Sequence, residues 1–256
     1  MTAHVAVVTG SSSGIGAAVA RAFAATGAGV VVNSSRSVAE GEAVAADLPD
    51  ACYVQADIAD PEGVQRLVEA ALERWGRIDT LVNNAGTTAL IPHRDVEAAS
   101  VDVWRRIFEV NVFATWSLTV AALPALTEAK GSVVNVSSLA GLRPTGSSIP
   151  YAASKAALNH MTVLLAKVVG PDVRVNAVAP GLVRTAMTAR HYLLPDGSVD
   201  QAARAAAEKP LRRMSPLGLI GDPEDIAYAI HYLVSDAARF VTGQILRPNG
   251  GVAMPW

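Results

Sequence analysis

The sequence predicts an α/β fold, a doubly wound parallel sheet of about seven strands with helices on both faces. Three observations point there. Short β-branched runs recur along the chain, each bounded by Gly, Asp or Asn, and longer alanine-rich segments of helical period separate them. The runs are almost continuously apolar rather than alternating, as strands buried on both faces are. The 256 residues, 51% of them hydrophobic with a mean hydropathy of +0.30, suffice for one large core. No repeat or linker divides them, so one domain over residues 1–256 is expected.

Val5–Val8 forms the first strand, and the turn Thr9-Gly-Ser-Ser-Ser-Gly-Ile-Gly16 carries the chain into a helix over residues 17–26. So much glycine lets backbone lie close to a phosphate, and the helix start offers free N–H groups at its positive end. Gly10, Ser12, Ser13, Gly14, Ile15 and Gly16 are therefore candidate cofactor residues. The spacing departs from GxGxxG, and an ordinary strand-to-helix turn is the alternative. Strand two, residues 30–32, ends in Asn33-Ser-Ser-Arg36, without the acid that NAD sites commonly place there for the ribose hydroxyls. Asn33, Ser34 and Ser35 can hydrogen-bond a ribose phosphate and Arg36 offers it a planar fork, which favours NADP(H) over NAD(H). A solvated loop arginine is the alternative. After a helix over residues 38–48, strand three ends in Ala56-Asp57-Ile58. There Asp57 and Ile58 can meet an adenine, or Asp57 can cap the helix over residues 62–75.

Strand four, Leu81-Val82 after Ile78, ends in Asn83-Asn-Ala-Gly86, where the backbone of Asn84, Ala85 and Gly86 can lie against a cofactor and the Asn side chains can tie neighbouring strands together. A long apolar helix over residues 101–126 holds Asn111 among Phe108, Val110, Val112, Phe113 and Trp116, and a buried amide must find partners. Strand five, residues 133–136, delivers Ser138 to the carboxyl edge of the sheet, where open α/β folds bind ligands. A satisfied core amide and a strand-end hydroxyl are the alternatives for these two. The next helix sets Tyr151 and Lys155 on one face, four residues apart. Strand six covers residues 173–178, after which the rhythm breaks. Residues 184–214 contain Pro195, Gly197 and Pro210, with a clear helical pattern only over residues 201–208, and read as a lid. Rhythm resumes at Asp222, an N-cap with Pro223 at the first helical position, and residues 244–246 form the last strand.

A phenol titrates near 10, so acting as a base at neutrality takes about 4 kcal/mol. A cation about 4 Å away, at an effective dielectric of about 20, supplies that order. Lys155 is therefore expected to lower the pKa of Tyr151.

A formal net charge of −2 with no block of like charge makes a small molecule, rather than nucleic acid or an anionic membrane, the expected partner. Cys52 is the single cysteine, so no intrachain disulfide is possible. The segment MTAHVAVVTG lacks a secretion pattern, and the run 161–169 is broken by Lys167 and too short for a bilayer. A soluble cytoplasmic protein is expected.

Taken together, TGSSSGIG, NNAG, Asn111, Ser138, Tyr151-x-x-x-Lys155 and Pro180-Gly-Leu-Val-Arg-Thr185 resemble the short-chain dehydrogenase/reductase family, in order and spacing over nearly the whole chain. The resemblance implies a Rossmann domain and a metal-free oxidoreductase that transfers a hydride between nicotinamide and a ketone or secondary alcohol. It implies Tyr151 as general acid/base, Lys155 lowering its pKa and holding the nicotinamide ribose, Ser138 orienting the carbonyl, and Asn111 helping to hold a relay water. Pro180, Gly181, Val183 and Thr185 would hold the nicotinamide end. The two long helices would pair with their copies in a homodimer or homotetramer.

The stretch VVNSSRS also resembles NADPH-using 3-oxoacyl-carrier-protein reductases. Ser13, however, stands where those often carry a base, and residues 123–130 are poor in bases for docking an acidic carrier. The expected substrate is thus a ketone of unspecified class. An NAD-dependent alcohol or sugar dehydrogenase and a non-catalytic NADP(H)-sensing regulator are the alternatives. Leu139, Leu142, Met187, Tyr192 and Leu193 would line the pocket, Arg143 and His93 would be anion contacts or solvent-facing residues, and the tail Met254-Pro-Trp256 would pack across an interface or cap its own subunit.

Overall fold

The β-branched runs pair as a single sheet. The computed structural model describes residues 4–189, 192, 194 and 196–254. Seven parallel strands, β1 Val5–Val8, β2 Gly29–Ser34, β3 Ala51–Gln55, β4 Thr80–Asn83, β5 Ser132–Val136, β6 Arg174–Val178 and β7 Ile245–Leu246, lie in the order β3-β2-β1-β4-β5-β6-β7. The chain winds outward from β1 to β3 and then crosses back to β4 on the other side of β1. Val8 is level with Val32 on one side and Val82 on the other, so the strand ends next to this reversal form a crevice.

Successive strand side chains point to opposite faces, which makes both faces apolar here. Ala6, Val8, Val30, Val32 and Val134 pack against α1 Gly14–Ala24 and α9 Pro223–Val234, through Phe23, Ile226 and Ile230. Val5, Val7, Val31, Leu81 and Val133 pack against α3 Pro61–Trp75, α5 Thr115–Ala129 and α6 Ile149–Val169, through Leu67, Leu118, Leu126 and Leu165. Fully burying each such leucine or isoleucine stabilises the fold by about 1.5–3 kcal/mol.

Several boundaries differ from the sequence expectation. α1 starts at Gly14, three residues earlier than the apolar pattern. The cap of α3 is Asp60, whose carboxylate accepts from Glu62 N at 3.1 Å. Asp57 instead accepts from Ala59 N at 3.0 Å, which removes it as the helix cap. The helix expected over residues 101–126 runs over Val101–Ala129 but is not continuously α: α4 Val101–Phe108 passes through a π-helical turn, Glu109–Ala114, into α5. By length and composition it could cross a bilayer, yet Ile107, Ala114, Leu118, Ala122 and Leu126 are buried in the core.

The segment read as a lid holds the short α7 Ala186–Ala189 and the helix α8 Gln201–Met214, which continues through Pro210 past the expected end at Glu208. Ion pairs bind this helix. Glu208 meets Arg184 at 3.0 Å, Arg204 at 3.0 Å and Arg212 at 3.2 Å, and Arg184 also reaches Asp222 at 3.1 Å. These guanidiniums, Arg184 first, hold the Glu208 carboxyl at about 2. Arg184 thereby clasps α8 to the start of α9. Pro195 lies outside the described residues.

Candidate active site

Thr9 organises the crevice. Its Oγ1 accepts from Asn84 N and Ala85 N, both at 3.0 Å, while Asn84 Nδ2 donates to Thr9 O at 2.8 Å and Gly10 O at 3.0 Å. The NNAG strand end is so bound to the glycine turn. Gly10 sits at φ +60°, and a Cβ there would lie 2.9 Å from Ala85 Cα; one on Gly16 would lie 2.4 Å from Gly10 O. Only glycine fits at either place. Ser13, the residue before α1, is extended and makes no side-chain cap bond, and the first turn holds no acid. Free N–H groups at the start of α1 are what a dinucleotide pyrophosphate requires, so the residues present fit that group. Ser12 is half-buried, and Ile15 packs on the core.

At the end of β2 the arrangement departs from expectation. Asn33 Oδ1 accepts from Gly10 N at 3.2 Å, and its Nδ2 donates to Val54 O at 3.1 Å and Ala56 O at 3.0 Å. Ser34 Oγ donates to Ser37 O at 2.9 Å and meets Tyr53 Oη at 2.8 Å. Both side chains brace β2 against its neighbours instead of reaching for a ribose phosphate. Ser35 and Arg36 are exposed just beyond. The Asp57 carboxylate is exposed, whereas the Ile58 side chain lies in the core and offers adenine only its backbone.

Ser148 Oγ caps α6 by accepting from Tyr151 N at 3.3 Å, with Pro150 in the first turn. Tyr151 therefore stands at the mouth of the helix and Lys155 one turn further in, its Nζ 5.9 Å from the Tyr151 ring centroid. Lys155 is buried and donates from Nζ to Val136 O at 2.8 Å; burial lowers its pKa from 10.5 to about 8. The Ser138 hydroxyl lies near enough to the Tyr151 phenol to favour its ionised form, while its Oγ accepts from Ala140 N at 3.2 Å. Burial raises the phenol above its ordinary value, and Ser138 offsets part of this. The direction runs against the expectation, since burial sets it and the lowering comes from Ser138 rather than from Lys155.

Asn111 lies in the π-helical turn with 1% of its surface exposed. Its Oδ1 accepts from Thr87 N at 2.8 Å, and its Nδ2 donates to Thr87 O and Ser154 Oγ, both at 3.0 Å. A Cβ on Gly86 would lie 3.3 Å from Asn111 Oδ1 and 3.5 Å from Lys155 Nζ, so the Gly86 backbone passes close to both. Thr9, Ser148 and Ser154 escaped the sequence reading. Asn83 ties neighbouring strands together as expected, its Nδ2 donating to Asn135 Oδ1 at 2.9 Å and to Thr119 Oγ1 at 3.0 Å; its partner Asn135, whose Nδ2 donates to Thr162 Oγ1 at 2.9 Å, was not anticipated. The signal was an asparagine inside each of two adjacent apolar strands.

Around this centre, Leu139 N donates to Pro180 O at 2.9 Å and Gly181 N to Pro248 O at 3.1 Å. Buried Val183 bridges to Gly221, and a Cβ on Gly14 would lie 3.4 Å from Thr185 Cγ2. The segment after β6 thus starts against the glycine turn. One cavity of about 350 Å³ is lined by Gly14, Arg21, Thr185 and Arg204. Another of about 330 Å³ lies among Val183, Arg184, Tyr192, Glu208 and Ile220. Arg143 donates to Met254 O at 3.1 Å, binding the loop after Ser138 to the tail. His93 Nε2 is buried without a hydrogen-bond partner. Leu193, Pro255, Trp256 and the Met187 side chain lie outside the described residues.

Comparison with known proteins places this geometry. A family described as enoyl-(acyl carrier protein) reductase matches residues 10–253. A Streptomyces violaceoruber protein named as ketoacyl reductase 2 of the granaticin polyketide synthase is 52% identical over 250 residues, covering 97% of this chain and 96% of its own. The 3-oxoacyl-[acyl-carrier-protein] reductase of a Synechocystis strain is 35% identical, covering 99% and 98%. A solved short-chain dehydrogenase/reductase of Brucella melitensis, titled glucose/ribitol dehydrogenase, superposes with a TM-score of 0.87 at 34% identity, covering 98% and 97%.

Proposed function

Because the chain belongs to the short-chain dehydrogenase/reductase family, we propose that it reduces a ketone of the 3-oxoacyl class with NADPH, Tyr151 acting as general acid. It is an oxidoreductase acting on CH–OH and C=O groups, in a family that uses NAD(P)(H). The observation that carries the finer reading is the Ser138 hydroxyl set beside a Tyr151 phenol whose pKa burial raises above its ordinary value.

Two hydroxyls side by side hold a carbonyl oxygen. Ser138 orients it, and Tyr151 gives it a proton as negative charge develops. Lys155 stabilises the phenolate that remains, with its own position fixed by Val136 O. The N–H groups at Gly14, Ile15 and Gly16 and the exposed Arg36 would hold the pyrophosphate and ribose phosphate; Pro180, Gly181, Val183 and Thr185 would hold the nicotinamide end, which supplies the hydride when bound. A hydroxyl pair suits reduction of C=O rather than of the carbon–carbon double bond an enoyl substrate presents. The substrate class follows the two reductase relatives, despite Ser13. A sugar dehydrogenase reading is weakened by Asn33, which stands where NAD sites commonly place an acid.

We also read residues 184–214 as a lid on a single domain. Exposed Phe113, Trp116, Val120, Leu164 and Val168 support pairing of the long helices with a second copy, in a homodimer or homotetramer. The lone Cys52 suits a cytoplasmic setting.

The test is consumption of NADPH and of NADH against a 3-oxoacyl thioester and cyclic and aryl ketones, beside NAD-dependent oxidation of glucose. Fastest turnover of the thioester with NADPH is expected. Faster glucose oxidation with NAD, or cofactor binding without turnover, would overturn the reading.

A further inference from the structure

Ser154 is fully buried one residue before Lys155 and has no part in the chemistry described above. Its hydroxyl donates to Tyr151 O at 2.8 Å, a carbonyl that can only accept. The hydrogen of Ser154 is thereby committed, and its oxygen can face a neighbour only as an acceptor. That neighbour is the Asn111 amide, which must present its NH₂ group, and does so at 3.0 Å. Thr87 imposes the same sense from the other side, offering N–H to Oδ1 at 2.8 Å and taking a bond from Nδ2 at 3.0 Å.

The consequence falls beside Lys155. Asn111 Oδ1 and Lys155 Nζ flank one point, the place a Cβ would take on Gly86, at 3.3 and 3.5 Å. With the amide in this sense Oδ1 borders the Gly86 position that Lys155 Nζ also borders; reversed, a second donor would take that place. The π-helical turn makes the choice matter, because Asn111 sits where the backbone departs from α-geometry and cannot rely on a regular helix to fix its side chain.

We propose that Ser154 is a positioning residue: it fixes which end of the Asn111 amide borders Gly86 on the side of Lys155 and ties that amide to the backbone of Tyr151. This rests on the catalytic reading of Tyr151 and Lys155, yet half of its test needs no turnover. Ser154→Ala removes the acceptor, and the amide loosens. In cofactor-free Ser154→Ala the Thr87 amide, bonded to Asn111 Oδ1, should exchange its hydrogen about tenfold faster than in wild type, while Val134 in the central strand β5 keeps its protection. In turnover, kcat should fall on the order of tenfold with KM for the ketone unchanged, and Ser154→Thr, which keeps the hydroxyl, should recover both readouts. Unchanged Thr87 exchange in Ser154→Ala would overturn the proposal whether or not the threonine variant folds, as would a uniform loss of protection that includes Val134. If wild type reduces no ketone, the proposed function fails, and Thr87 exchange still decides the role of Ser154.

Discussion

Replacing Lys155 by Met should stabilise the protein at neutral pH while abolishing its activity. The ammonium is buried with only Val136 O bonded to it among the described contacts, and its pKa falls from 10.5 to about 8. That gap corresponds to about 3 kcal/mol against the folded state. The sign follows from proton counts. Below about pH 8 folded and unfolded chains both carry the proton, so the whole penalty is present; as pH rises from about 8 towards 10.5 the folded lysine loses its proton first and the penalty is relieved. Methionine of similar volume removes the charge but leaves Val136 O without its donor, at a cost of about 1–2 kcal/mol. The variant should therefore be more stable than wild type by about 1–2 kcal/mol at pH 7, and less stable by a similar amount near pH 10.5. Urea unfolding of the cofactor-free proteins at both pH values measures the difference, and comparing the two proteins cancels every other titration. A difference of constant sign and size across that range would refute the reasoning.

Arg36→Ala removes the cation assigned to the ribose phosphate. KM for NADPH should rise about 10- to 100-fold, the worth of charged hydrogen bonds of about 1.5–3 kcal/mol, with KM for NADH almost unchanged; steady-state kinetics with both cofactors checks this. Gly16→Ala would push a Cβ to 2.4 Å from Gly10 O and 2.6 Å from Asn84 Nδ2, prising the glycine turn from the NNAG strand end. Binding of NADPH, followed by its fluorescence, should be lost and the melting temperature lowered, and retained affinity would contradict the cradle described above.

The sheet was legible because burial on both faces leaves an unmistakable record: Val30-Val-Val32 and Val133-Val134 admit hardly any other reading. Asp222 was legible as a cap because its function is local. What escaped depends on partners distant in sequence. Asn33 has the chemistry to bind a phosphate, and only the approach of Gly10, Val54 and Ala56 shows its donors engaged within the protein. The π-helical turn around Asn111 carries no glycine or proline to mark it. Pro210 reads as a stop, but the arginines gathered on Glu208 hold α8 in place on either side of it. For Tyr151 the sequence supplied the neighbouring cation but not the depth of burial, and burial sets the direction of its pKa.

The most direct measurement is on Tyr151→Phe, with NADPH affinity and ketone turnover determined on the same preparation. If the phenol is the acid, binding should stay within about twofold while kcat falls by at least about a hundredfold, the usual contribution of a positioned proton donor. Turnover within a few-fold of wild type would mean that the proton comes from elsewhere and that Tyr151 only shapes the site.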